Sequence, residues 1–199
     1  FAGGTPWGYP ETFSNRAYGP GAPGFSHGAG YGGWGSTGYL GTAAGQPYGS
    51  ANAPTAPGSG ARAGYEPNAY GPYGGGSVQI RASDMVAFSG LITANGGPGA
   101  APNGGGSSGG GIYITCNTFI GDSNAVLRAD GGMGSGTGGG GGSGGRIAVW
   151  CINDLSPSVV SASVSGAVGR SGTVYQATSD PGTIVWGWLP SAGTVIRFR

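Results

Sequence analysis

Apolar residues in this chain alternate with polar or glycine positions in short runs, and none recurs at the 3.6-residue spacing of a capped amphipathic helix. Three runs align without gaps: Gly76-Ser-Val-Gln-Ile-Arg81, Gly111-Ile-Tyr-Ile-Thr-Cys116 and Arg146-Ile-Ala-Val-Trp-Cys151, each 35 residues after the last. A second set keeps the same step: Leu91-Ile-Thr-Ala-Asn95, Val126-Leu-Arg-Ala-Asp130 and Ser161-Ala-Ser-Val-Ser165. Short runs rich in β-branched and aromatic residues, punctuated by glycine, predict strands. Met85, Ile120 and Leu155 form a further apolar column at that spacing, and Asn95, Asp130 and Ser165 a polar one. Short polar side chains in such a column can bond as a ladder or form local turns.

Equal spacing of like strands predicts stacking in parallel register, about 4.8 Å apart. The expected fold is therefore an all-β, glycine-rich parallel β-solenoid (β-helix) with about three 35-residue coils and an irregular Gly/Tyr/Pro-rich N-terminal region. Glycine tracts would form its crowded corners or pack as extended strands. An antiparallel sandwich is the alternative, but hairpins do not require an unbroken 35-residue register. The expected organisation is a loop-rich region over 1–74, packed on the core or on a neighbouring subunit, then repeats over 75–175 and C-terminal strands over 176–199.

Composition sharpens this picture. Glycine contributes 50 of 199 residues, yet 37% of the chain is hydrophobic and the net charge is +1, which argues for packing over disorder. All eight basic residues are arginine. So small a net charge leaves no electrostatic footprint for nucleic acid, and no apolar run approaches the roughly 18–20 residues of a membrane span. The start at Phe1, without Met or a signal peptide, predicts a processed or excised product.

The segments GGGSSGGGIYITCNTFIGDSNAVLRADGG and GGGGGSGGRIAVWCIND, preceded by GLITANGG, resemble glycine-rich parallel β-helix regions of bacterial extracellular and surface (adhesin-like) proteins. The likeness runs from about Tyr70 to Tyr175. It implies a scaffold architecture and an extracellular or cell-surface location, and it brings no catalytic residues.

Candidate chemistry is sparse. Cys116 and Cys151 are also 35 residues apart, so stacking places them side by side, as an intrachain disulfide or as two buried free thiols. With His27 the only histidine, the chain falls short of a four-ligand zinc site. Asp84 and Asp154 share a column two periods apart, a spacing that overlaps paired-carboxylate hydrolysis, but almost any two stacked acids would satisfy it. No enzyme and no cofactor is expected. The glycine tracts lack the Lys-Ser/Thr and helix of a phosphate loop, Asp-Gly-Gly occurs once where a calcium repeat needs many, and Thr residues do not line up as an ice-binding face would require.

The ends carry the functional expectation. Thr194, Val195, Ile196 and Phe198 alternate with basic residues in a terminal strand suited to strand exchange with another copy; the plainer reading is a terminal strand of the monomer solubilised by Arg197 and Arg199. Trp7, Trp34, Trp186 and Trp188 are candidate aromatic contacts, and Thr55 and Ser59 candidate O-glycosylation positions. Together these features predict a secreted structural subunit of a filament or surface assembly whose partner is itself. An adhesin-type module that stacks aromatic rings on glycans is the alternative.

Overall fold

The computed structural model describes residues 17–24, 26–39, 43–64, 70–100, 102–156, 160–171 and 177–191. Among these, ten strands form and no helix: β1 (Ser77–Arg81), β2 (Met85–Phe88), β3 (Leu91–Thr93), β4 (Gly111–Gly121), β5 (Val126–Arg128), β6 (Gly138–Gly139), β7 (Arg146–Asp154), β8 (Ser161–Ser163), β9 (Arg170–Ser171) and β10 (Thr183–Trp188). A parallel sheet runs β1-β4-β7-β10, with β2 also on β4; a second runs β3-β5-β8. Parallel sheets normally have helices between their strands; here glycine-rich segments make the connections. The small β6–β9 pair is antiparallel.

The expected β-solenoid is corrected by this arrangement. Among the described residues the sheets are open, ending at β1 and β10 in one and at β3 and β8 in the other. The glycine tracts do not serve as corners of stacked coils; they build a layer of their own. In the tract before β4, Gly105, Gly106 and Ser107 donate their amides to the carbonyls of Arg62, Gly140 and Gly97. The next three, Ser108, Gly109 and Gly110, donate to Ser59, Ser143 and Ala94. Each neighbour is thus revisited after three residues. In the tract before β7, Gly140 and Ser143 donate to Ser26 and Ala29, while Gly142 and Gly145 donate to Gly132 and Ala129. This is the three-residue turn of an extended polyproline II-like chain, which makes no internal hydrogen bonds and points its amides outward in three directions.

Such packing demands glycine. A Cβ on Gly142 would lie 2.0 Å from the Ser107 carbonyl oxygen. The serines that interrupt the tracts instead use their hydroxyls as substitute backbone groups: Ser107 Oγ accepts the Ala61 amide at 2.9 Å and donates to the Pro72 carbonyl at 2.7 Å. Ser143 Oγ accepts the Tyr31 amide at 2.9 Å. The described part of the N-terminal region is therefore built into the bundle, because segment 26–36 bonds directly to the tract before β7.

The apolar core lies between the two parallel sheets. Ile112, Ile114, Ile147, Val149, Phe119 and both cysteines face Leu127, Ala129, Ala94 and Val164. The repeat sets the register only in part. β4 pairs with β7, and β5 with β8, at the 35-residue step, but β1 is shifted: Ser77, not Gly76, stands opposite Gly111. A one-residue slip turns every side chain to the other face. This one brings Val78 and Ile80 beside Ile112 and Ile114 in the core, where the sequence alignment would have set Val78 against Tyr113. The expected apolar column fails because β2 stands two residues out of step with β4. Met85 faces Thr118 and Ile120 faces Ala87, while Met85 and Leu155 are solvent-exposed. The polar column does form: Asp130 donates its amide to Asn95 Oδ1, and Asp130 Oδ1 accepts the Ser165 amide, both at 2.8 Å.

Candidate assembly surface

β10 closes one side of the five-stranded sheet, held in register by Ile184 on Ile147, Trp186 on Val149 and Trp188 on Cys151. The residues of β7 in these ladders are buried, but Ile184 is 45% exposed and Trp188 64%. The cause lies in the second sheet, which ends at β8 and so places no strand opposite β10 among the described residues. Trp186 is partly sheltered: its ring meets Phe119 edge-on with centroids 5.3 Å apart, and its indole N–H donates to Asp154 Oδ2 at 2.9 Å. Leu155 adds a further exposed apolar side chain beyond the end of β7. The opposite edge, at β1, β2 and β3, exposes Met85 and Leu91.

On the other face of this sheet, Arg81, Thr115, Trp150 and Gly187 form one ladder. The Arg81 guanidinium lies over the Tyr113 ring, 5.8 Å from its centroid. The six-membered ring of Trp150 lies against Gly187, where any Cβ would collide with it, and its indole N–H donates to the Asn52 carbonyl at 2.7 Å.

A buried arginine fastens the N-terminal region to β7 and β10. Arg146 donates from Nε to the Tyr48 carbonyl at 3.0 Å and from Nη1 to Thr183 Oγ1 at 3.1 Å, with its guanidinium 5.5 Å from the centre of the Tyr31 ring. The Tyr31 and Tyr48 rings are 4.7 Å apart. Burial holds the Arg146 guanidinium below its ordinary pKa and pushes the Tyr48 hydroxyl up to about 12 and that of Tyr31 higher still. Both phenols therefore stay neutral, and the guanidinium keeps its charge against carbonyl, hydroxyl and aromatic faces. This clasp was not foreseen from the sequence; its only signal was an arginine at the start of a strand that is otherwise apolar.

The structure separates the remaining predicted positions. Cys116 and Cys151 are ladder partners, both buried, and both are free thiols, so the disulfide is not formed. Partners in adjacent parallel strands sit about 4.8 Å apart with side chains abreast, whereas a disulfide draws its Cβ atoms to about 3.8 Å. Burial raises both thiol pKa values, that of Cys151 to about 11 with Asp154 and Cys116 adding to it. Asp84 and Asp154 do not share a column, since Asp154 faces Phe119 while the Asp84 carbonyl receives the amides of Asn117 and Thr118. Among the described residues no group of three or more His, Cys, Asp or Glu side chains could hold a metal ion, and no helix is long and apolar enough to cross a membrane.

Trp34 is exposed and its backbone is tied to Asp180 in both directions, by amide to carboxylate and by carbonyl to amide. Thr55 is exposed. Ser59 is fully buried, its hydroxyl accepting the Gly21 amide at 3.0 Å and donating to the Tyr48 hydroxyl at 3.1 Å, which leaves no room for a sugar. Trp7, Thr194, Val195, Ile196 and Phe198 lie outside the described residues. Comparisons with protein-family profiles, curated proteins and solved structures found no match to this chain.

Proposed function

We propose that this chain is a structural subunit of an extracellular or cell-surface assembly, and that it associates with itself by strand addition. The observation that carries the reading is the five-stranded parallel sheet whose edges at β1 and β10 are unpaired among the described residues, the latter presenting exposed Ile184 and Trp188. Open edges expose unpaired backbone groups and template further pairing. The glycine bundle supports the same reading, because its tracts are tied to one another by backbone and serine hydrogen bonds, as suits a rigid scaffold. No catalytic role belongs to this reading. Light scattering and negative-stain microscopy across a concentration series test it. Mass growth with concentration and elongated particles are expected; a monomer at every concentration refutes it.

A second reading, glycan binding, draws on the exposed rings of Trp34, Tyr39, Tyr70, Tyr73 and Trp188. Amphipathic aromatic faces are suited to partners with mixed polar and apolar surfaces. Binding on a glycan array that disappears in Trp34→Ala or Trp188→Ala supports it, and binding unchanged in both variants counts against it.

A further inference from the structure

The two open edges of the five-stranded sheet are not alike, and this specifies the partner of the self-association just proposed, on which the following rests. We infer that β10 receives the β1 edge of a second copy in parallel, setting the second copy's Val78, Ile80 and Ala82 beside Ile184, Trp186 and Trp188.

Symmetry restricts the choices. All strands of the sheet are parallel, so its two edges run in the same direction and face opposite ways. Joining β10 to β10 requires a two-fold axis. An axis normal to the sheet reverses the strand direction, and one along the strands turns the apolar face outward. Joining β1 to β10 does neither: direction and face both continue.

The side-chain ladders match across that junction. Within one chain, Val78, Ile112, Ile147 and Ile184 form a single row, and Ile80, Ile114, Val149 and Trp186 the next. Each row is apolar at both ends, so a second copy extends it without a polar interruption and covers Ile184, now 45% exposed. The opposite face supplies charge-to-ring complementarity. The row Arg81, Thr115, Trp150, Gly187 ends in a residue without a side chain, over which the Trp150 ring lies. The next position belongs to the second copy's Arg81, one step of about 4.8 Å beyond Gly187. Its guanidinium meets the Trp150 ring as Arg81 meets Tyr113 within its own chain. Head-to-tail contacts of this kind leave one free β1 edge and one free β10 edge at every stage, so unless the rotation from copy to copy closes a ring they produce a polar fibre with a β1 end and a β10 end.

Cross-linking distinguishes the edges. Val78→Cys and Ile184→Cys proteins are prepared separately, mixed, and treated with a short bis-maleimide. The mixed 78–184 product is expected to exceed either self-product by about tenfold. Should Val78→Cys fail to fold, Ala82→Cys with Trp188→Cys takes its place, since these positions stand beside each other on one face of the junction and are partly or largely exposed. Assembled species that lack the mixed product, or that yield mainly 184–184 cross-links, overturn the β1-to-β10 junction while leaving self-association standing. No cross-link together with a monomeric mass overturns both. As a second readout, Ile184→Lys is expected to retain the wild-type thermal midpoint, lose self-assembly and cap wild-type fibres at one end only; capping at both ends overturns the junction.

Discussion

Gly142→Ala probes the glycine bundle in the buried tract before β7. The new methyl carbon would lie 2.0 Å from the Ser107 carbonyl oxygen and 2.8 Å from that of Gly106, so either tract must move by roughly 1 Å to restore van der Waals contact. Both contacts are backbone atoms, and no rotamer change relieves them. A shift of that size breaks the bonds made at the site: the Gly142 amide to Gly132 at 2.9 Å, the Ala167 amide to Gly142 at 3.0 Å, and the Ser143 amide to Ala29 at 2.9 Å. It also strains the Gly141 amide to Ser36 Oγ at 2.7 Å. At about 1 kcal/mol for each bond, and more where a buried group is left without water, the loss is about 3–5 kcal/mol. Alanine restricts the unfolded chain and offsets this by about 0.4–1 kcal/mol. The net expectation is a destabilisation of about 3–4 kcal/mol. Gly90→Ala is the control: its φ of +110° disfavours a side chain, but a methyl there meets nothing within 4 Å. Only local backbone strain of about 1–2 kcal/mol is expected. Urea unfolding followed by tryptophan fluorescence gives both values. The three-direction packing is refuted if Gly142→Ala is no less stable than Gly90→Ala.

Arg146→Ala removes two charge-assisted bonds and the stacking on Tyr31, for an expected loss of about 2–4 kcal/mol, and Arg146→Lys recovers less than half because an ammonium cannot reach both partners as a fork does; equal stability of the Lys variant and wild type in urea would refute the clasp. His27 is buried, and its Nδ1 accepts the Gly38 amide at 2.8 Å, a bond that requires the unprotonated nitrogen. Burial lowers its folded pKa below 6.5, so the unfolded chain binds the proton first. The contribution of His27 is complete above 6.5 and falls as pH drops toward the folded pKa; unfolding midpoints across this range should decline more steeply in wild type than in His27→Gln. Titration with a thiol reagent should find Cys116 and Cys151 unreactive in the native protein and two thiols on unfolding without reductant; zero thiols on unfolding would mean that the pair is oxidised.

How far the sequence reveals this fold differs from element to element. The pairing of Cys116 with Cys151 and the Asn95–Asp130–Ser165 ladder follow directly from spacing, because β4, β5, β7 and β8 keep the 35-residue step without insertion. The slip at β1 does not, since glycine at 76 aligns with glycine at 111 by identity, while burial of Val78 and Ile80 decides the register in space. The bundle is least legible. Bonds such as Ala29 to Gly106 join segments with no common motif, and a glycine tract has no side-chain period to reveal where its amides point. Ser107, Ser108 and Ser143 were the available signal, as hydroxyls set within polyglycine imply buried backbone partners. Of the proposed assembly surface, Trp186 and Trp188 stand among the candidate aromatic contacts read from the sequence, but Val78 and Arg81 do not, because only the finished sheet reveals that β1 is an edge.

The bundle also dictates an order of events during synthesis. Tyr31 is bonded to Ser143 across 112 residues, and Gly141 to Ser36 across 105. No tract can satisfy its amides until partners from distant parts of the chain have arrived, and contacts of such long range slow folding. Segment 26–36 therefore has no native bonding to the tract before β7 until residues 140–145 have been made. Its bonds within residues 17–64 and to the tract before β4 can form earlier, but the layer is complete only when the tract before β7 arrives.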